Sequence, residues 1–525
     1  MTSENYYYAT GTEVTSIADA IRTKTGTSEQ LAFPEGFVDA IDGIRQMSWD
    51  DDVVYMDYDG TIVATYTKAD FANLTAHPAN PTHAGLTAQG WNWSLSDAKT
   101  YVATYEHLII GQMYVTDDGK TRLYIHLEDS NLLSPTLYWY QDVADGVTID
   151  WGDESNTETS NVAGNTSITH QYSVVGDYVI TLNVTSNTAL LGIGNTVFGY
   201  TGNTNKPYVY SLKKVEYGSN IPYIRSYTFN ECNNLESITI PSSIDTFYQY
   251  DFYACESLKC IVIPSGTTSI PMYFMPYSFH LKSVSLPITI TKIDDYAFSE
   301  CNSLENITIP SAVTTIGDYA FNQNYMLKKL TLPSSVQTIE TYAFSYCNVL
   351  KGIALPSTIK TIKGYAFQYC KSIESITIPN TVTTFGQNLF QNCYSLRTAN
   401  ILCGSVTNGT YLFSGCKNLS NVSLASGITS ISDRMFYGCF CIKSLTIPST
   451  VTSIGSSAFY NSGVAEYHFL STTPPTLSNT NAFNNILSDC IIYVPRSENQ
   501  TVLNAYKTAS NWSTYASCMQ EEPES

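Results

Sequence analysis

Thirteen cysteines and forty tyrosines are the residues whose spacing invites a chemical reading. Cys232, Cys255, Cys301, Cys347, Cys370, Cys393, Cys416 and Cys439 fall in one register, at a sequence interval of 23 or a multiple of it. A file of thiols suggests metal ligation or disulfides. Tetrahedral zinc wants CxxC-type pairs, which one file does not supply. Strands about 4.8 Å apart would bring such cysteines within disulfide reach. Yet Ser278, Asn324 and Ser462 stand in the same column, and a chain that is not exported keeps its thiols reduced. Small, buried, free cysteine is the expected state, with no metal and no cofactor. A second column holds Tyr250, Tyr273, Tyr296, Tyr319, Tyr342, Tyr365 and Tyr411, with Tyr227 in register. Asn388, Arg434 and Ser457 share it. A position that takes Arg and Ser is expected to be open to solvent, at least at the hydroxyl. Two uses follow: a stacked ladder that shields a turn, or an aromatic strip that binds sugars or protein. The seven tyrosines of that column are the candidate ligand-binding residues.

Catalysis finds little else to work with. Seven histidines are scattered, and only His280 and His468 lie in residues 205–469, the part of the chain that carries these columns. No nucleophile elbow, P-loop or HExxH occurs, and carboxylate pairs recurring on one face, as glycan cleavage needs, are not evident. The stretch "VVYMDYDGTIV" resembles the first motif of haloacid-dehalogenase phosphatases, in which Asp57 would be nucleophile and Asp59 general acid. That chemistry needs a Rossmann-like sheet, a downstream lysine and a late acidic pair. The chain instead changes to a β-sandwich pattern within about 80 residues, so the motif reads as a strand ending in an Asp-Gly turn. No enzyme is expected.

What positions these columns is a repeat. Prolines stand at 241, 264, 287, 310, 333, 356 and 379, a constant step of 23, and Cys403, Ala425 and Pro448 continue the register. From each proline, Val or Ile recurs at +3 and +6, Phe at +11, Cys at +14, Leu or Ile at +17, and apolar residues at +20 and +22. Each copy supplies a short strand, a turn at Pro-Ser, a second extended piece and a compact "YAFxxC" turn. One copy cannot bury its own Phe, Cys, Leu and Ile, but stacked copies can. About ten copies at a fixed period make a solenoid. Lys259, Glu305, Lys328, Lys329, Lys351, Glu374 and Arg397 lie between the buried strand positions and predict a solvated face of mixed sign. Residues 470–525 break the period and read as the C-terminal cap, with a helix near Glu498–Ser510.

The consensus "AFxxCxxLxxIxIPxxVTxIG" resembles the BspA-like leucine-rich repeat family over about residues 205–517. That resemblance implies a parallel β-solenoid used for binding, often adhesion to cells or matrix, without enzymatic activity. Met275, Asn324 and Ser462 depart from the consensus but keep the period. Upstream, "TIDWGD", "HQY" and "GDYVITL" resemble a PKD-type β-sandwich, with Glu154 in place of a glycine; the implied role is spacer or adhesive module. Residues 8–45 read as two short amphipathic helices, Gly26 ending the first. That opening, with the Trp-rich block of "GLTAQGWNWSLSDAKTYV", resembles tail-associated proteins of phages and prophages of Gram-positive hosts, over residues 1–130.

Charge excludes some partners. The net charge is −20, and residues 1–200 hold 26 acids against 7 bases, while residues 201–525 hold 20 against 19. No basic stripe exists for nucleic acid, and an anionic membrane would repel the front of the chain. Neither a secretory signal nor an 18-residue apolar run is visible, which predicts a protein neither inserted in a membrane nor exported by a standard signal.

The expected architecture is therefore mainly β. Residues 1–46 form a helical docking segment, 47–131 an acidic mixed α/β region, 132–190 a PKD-like sandwich, 205–469 the solenoid and 470–525 a cap. The function expected first is a phage tail-associated receptor-binding protein in the virion. It would be a homo-oligomer, docked to other tail proteins through residues 1–130, with its solenoid on a bacterial surface glycan or protein. The alternatives are a bacterial surface adhesin and a tail depolymerase.

Overall fold

The computed structural model describes residues 52–105, 107–185, 190–192, 197–198, 206–219, 221, 224–404 and 409–524. The helices expected in residues 8–45 lie outside them. Three parts follow in order within the unit that begins at Trp49.

The first is a small α/β unit. Strands β1 (Val53–Met56), β2 (Ile62–Tyr66), β3 (Leu86–Trp91) and β4 (Leu108–Thr116) pair in the order β2-β1-β4-β3. β1 runs parallel to β4, and the outer pairs are antiparallel. "VVYM" and "LIIGQMY" are buried without a break because both faces of these strands are covered. One face carries helices α1 (Lys68–Ala72) and α2 (Leu95–Thr104). Each starts at a hydroxyl cap: Thr67 accepts from the N–H of Asp70 and Ser94 from that of Asp97. The other face meets the solenoid.

The second part is a pair of antiparallel sheets. β5 (Thr121–Leu127), β7 (Val147–Asp150), β8 (Glu158–Thr159) and β10 (Gly176–Val184) make one layer; β6 (Thr136–Gln141), β9 (Gly164–Thr169) and β11 (Leu190–Leu191) make the other. The sandwich takes its first strand from Thr121, ahead of the 132 boundary that the Trp-Gly-Asp motif suggests. Its larger sheet does not stop at its own edge. β12 (Leu212–Glu216) pairs antiparallel with β5, and parallel with β13 (Ser237–Thr239), a strand of the first repeats. The sandwich thereby closes the N-terminal edge that an open solenoid would expose.

The third part is the solenoid. Equivalent strands pair in parallel, one copy against the next, as in Cys260 with Ser283 and Ser283 with Asn306. A second column of two-residue strands runs from Ser269–Ile270 through Thr384–Phe385. Each copy turns at its proline, whose carbonyl accepts the N–H three residues on, as Pro310 does from Val313. Phenylalanines stack copy upon copy from Phe298 to Phe483, 5.0–5.9 Å between ring centres. At the far end α3 (Thr501–Thr508) and the turn Trp512–Cys518 lay Tyr506 and Trp512 over Phe469, and Trp512 over Phe483. No helix among the described residues is long and apolar enough to cross a membrane.

Candidate binding surfaces

The thiol column sits wholly inside. Its cysteines are buried and free. From Cys255 onward each donates its S–H to a carbonyl of the preceding copy at 3.1–3.4 Å, as Cys347 does to Phe321 and Cys370 to Phe344. Burial raises the thiols of Cys232, Cys255, Cys301, Cys347, Cys393, Cys416 and Cys439, Cys416 to about 12. They are packing residues with a weak donor, not ligands. Among the described residues no group of three or more His, Cys, Asp or Glu is placed to hold a metal.

Asp57 and Asp59 also resolve into structure. Gly60 N–H donates to the Asp57 carbonyl and Thr61 N–H to the Asp59 carboxylate, which makes the tight turn between β1 and β2. The buried Asp57 carboxylate meets His83 Nε2 at 2.7 Å and ties down the loop before β3. Sequence gives no hint of that pair, because its members belong to different elements and lie far apart along the chain. In the sandwich, Trp151 stacks on His170 at 4.7 Å, His170 meets Asp153 at 2.8 Å, and the Tyr172 hydroxyl donates to the Trp151 carbonyl. The "WGD" and "HQY" residues therefore pack on one another as a structural knot.

One expectation is corrected: the outward strand positions are not solvated along the whole array. In the early copies they are buried, at Cys260, Val262, Ser283, Ser285, Asn306 and Thr308. The reason is the α/β unit, whose β4 lies across them. Gly111 makes this possible: a Cβ there would stand 2.6 Å from both Val262 methyls. The contact is sealed by hydrogen bonds. Asn92 donates to the carbonyls of Ile263 and Ser285, Trp93 to that of Leu286, and Tyr101 to that of Ile309. The equivalent positions at Ser375, Thr377, Asn421, Ser423, Ser444 and Thr446 are exposed. The strand column also lapses at 351–355, where no strand forms. Lys259, Lys328, Lys329, Lys351, Glu374 and Arg397 are exposed, and Glu305 is half-buried.

The tyrosine column forms one surface. Tyr227, Tyr250, Tyr273, Tyr296, Tyr319, Tyr342 and Tyr365 are half-buried and stack in an unbroken ladder, 4.4–5.0 Å between centres and 8–16° between planes. In the five inner tyrosines both ring faces are occupied by neighbours, so only their edges and hydroxyls reach solvent. Burial, then neighbouring tyrosines or acids, raises the phenols of Tyr296, Tyr319 and Tyr342, which keeps them protonated donors. Every tyrosine of the ladder is left-handed, φ 52–72°. That conformation turns its N–H toward the next copy: Tyr296 donates to Asp318 and Tyr342 to Gly364. Asn388 and Ser457, which share the column, are buried rather than open, while Arg434 is exposed. A second left-handed column lies four residues on, through Tyr277, Glu300, Gln323, Tyr346, Tyr369, Asn392, Gly415, Gly438 and Asn461.

Asn388 interrupts the ladder, and Tyr411 stands beyond the break. The Arg434 guanidinium lies 5.1 Å over the Tyr411 ring and donates to its hydroxyl. Gly415 and Gly438 carry no side chain in the second column; Asn392 reaches over Gly415, but the space at Gly438 stays open, and a cleft of about 640 Å³ lies between the columns.

The description "BspA type Leucine rich repeat region" matches residues 183–304, 268–397, 349–465 and 399–506, in six copies. Similar solved structures include a leucine-rich repeat protein of Bacteroides ovatus, 21% identical, covering 73% of this chain and 100% of that one, TM-score 0.48. A leucine rich cell surface protein of Faecalibacterium prausnitzii is 25% identical, covering 62% and 94%, TM-score 0.37. No curated protein matches. With the family pattern spanning well over half of its length and every column of that pattern stacked in the fold, this chain belongs to the BspA-type leucine-rich repeat family.

Proposed function

We propose that the protein is a non-catalytic adhesion protein of the bacterial cell surface, whose solenoid holds a glycan or protein partner by non-covalent contact. The observation that carries this reading is the turn face. It repeats one polar, hydroxyl-bearing motif over seven consecutive copies and ends in a cation-bearing cleft. Rigid tyrosine edges give contact area at small entropic cost. The sandwich, on its PKD-like motifs, acts as a spacer that holds the array away from its anchor.

The test is saturable binding of the labelled full chain to bacterial cells and to immobilised matrix proteins, with the triple substitution Tyr296→Ala, Tyr319→Ala and Tyr342→Ala beside it. Loss of binding with the fold intact is the expected result. No saturable binding to any surface, or turnover of wall or capsular glycan by the purified protein, would sink the reading. A second reading, a receptor-binding protein of a phage tail, is favoured by the resemblance of residues 1–130 to tail-associated proteins. Immunodetection on purified virions, against detection on intact cells, separates the two.

A further inference from the structure

We infer that the cleft beyond the tyrosine ladder is a binding site for an acidic glycan, a chain of sugar rings bearing carboxylates. This deepens the adhesion reading and rests on it for its biological setting.

Charge is the first ground. The chain is strongly acidic, yet residues 375–465 hold four bases, Arg397, Lys417, Arg434 and Lys443, against the single acid Asp433, a local net of +3. Two of these cations line the cleft, Arg434 and Lys417. Both are held over aromatic faces, Arg434 at 5.1 Å from Tyr411 and Lys417 at 5.2 Å from Tyr394. A cation fixed this way gives up less rotamer freedom when it binds. A guanidinium fork matches a carboxylate in plane and spacing.

Shape is the second ground. Tyr437 and Tyr460 stack at 5.1 Å and 3°. One copy before Tyr437 the same position is Ser414, so among the described residues Tyr437 has no ring on that side. Gly415 and Gly438 withdraw the side chains that Tyr346 and Tyr369 supply in other copies. The outcome is a free aromatic face beside a pinned guanidinium. Elsewhere on the turn face the ladder rings cover one another. A pyranose offers just the complement: an apolar C–H face for the ring and a carboxylate at its rim. Gln391 and Asn392 on the walls suit its hydroxyls.

Titration calorimetry of the full chain with tetragalacturonate tests this, with cellotetraose, poly(glycerol phosphate) and polyglutamate as controls. Saturable binding of the uronide, weakening with salt, is expected. Arg434→Gln should weaken it about tenfold or more, as the loss of one charge-assisted hydrogen bond implies. Gly438→Tyr should abolish it by filling the cleft. Its Cβ would meet only the Gly415 Cα, at 4.0 Å, and sibling tyrosines already hold that backbone conformation. Far-UV dichroism and the melting transition check that both variants fold. Equal binding of the neutral tetraose, the phosphate polymer or polyglutamate would overturn the ligand class, as would an unchanged affinity in either variant. Cell adhesion that survives while the uronide fails to bind overturns this inference and leaves the adhesion reading standing. Uronide binding that persists without any cell adhesion does the reverse.

Discussion

Tyr319 sits mid-ladder, and replacing it separates two forces that act on one residue. Its ring lies 4.7 Å from Tyr296 on one side and 4.7 Å from Tyr342 on the other. Each such contact contributes about 0.5–1.5 kcal/mol beyond area burial, so Tyr319→Ala should cost about 1–3 kcal/mol from stacking alone. The backbone pulls the other way. At φ 56° any L side chain is strained by about 1–2 kcal/mol, and alanine inherits that strain in full. Glycine does not, although it adds about 0.4–1 kcal/mol of unfolded-state entropy. Tyr319→Gly should therefore be more stable than Tyr319→Ala by about 0.5–1 kcal/mol, the reverse of the order expected inside a strand. Tyr365 ends the ladder with one ring neighbour, Tyr342, so Tyr365→Ala should cost about half as much as Tyr319→Ala. Urea unfolding followed by fluorescence and dichroism together measures all three, provided the two probes coincide, since repeat arrays can lose cooperativity. A Gly variant less stable than the Ala variant would refute the claim that left-handed strain is stored in this column.

Three further outcomes are expected. Burial pushes the Asp251 carboxyl well above the carboxylate range, at a position that is Phe274, Ala297, Ala320 and Ala343 in the next four copies. The folded chain thus keeps a proton that the unfolded chain releases near pH 4, and stability is lost as pH rises from there. Asp251→Asn should raise the urea midpoint at pH 7 and do little at pH 4; a pH-independent effect would count against it. Gly111→Val should force β4 off Val262 and cost about 1–3 kcal/mol, seen as faster hydrogen exchange in residues 108–116 while exchange in residues 421–447 is unchanged. Of the thirteen cysteines, only Cys441 and Cys518 are part-exposed, so an aromatic disulfide reagent at pH 8 should titrate two thiols promptly and the rest only after denaturation.

Much of this was legible in the sequence because a period of 23 forces equivalent residues into equivalent places. The Phe, Cys and Leu columns face the core since no single copy can bury them. The left-handed turns were harder to see. Such positions usually declare themselves by Gly or Asn, and here Asn392, Gly415, Gly438 and Asn461 did so in one column, while in the other only Asn388 did and tyrosines masked the rest. The seating of the α/β unit left no trace at all. Ser283 and Ser285 are buried, Ser444 and Thr446 exposed, and the residue types are alike. What meets Ser285 comes from Asn92 and Ile109, in a separate part of the fold. The cleft, too, depends on absent side chains at Gly415 and Gly438, and a missing side chain is visible only against its stacked neighbours.

The seat of β4 on Val262, Ser285 and Thr308 divides the array into two kinds of copy. Loss of the single copy that runs from 356 to 378 would delete one rung and let the next strand take its place, with no partner outside the array disturbed. The same deletion from 264 to 286 would remove Ser285 and Leu286, whose carbonyls accept from Asn92 and Trp93. Copies can therefore be gained or lost by unequal exchange on the C-terminal side alone. A lineage carrying this gene can lengthen its reach or shuffle its contact surface there, while the copies under the α/β unit are held at a fixed number.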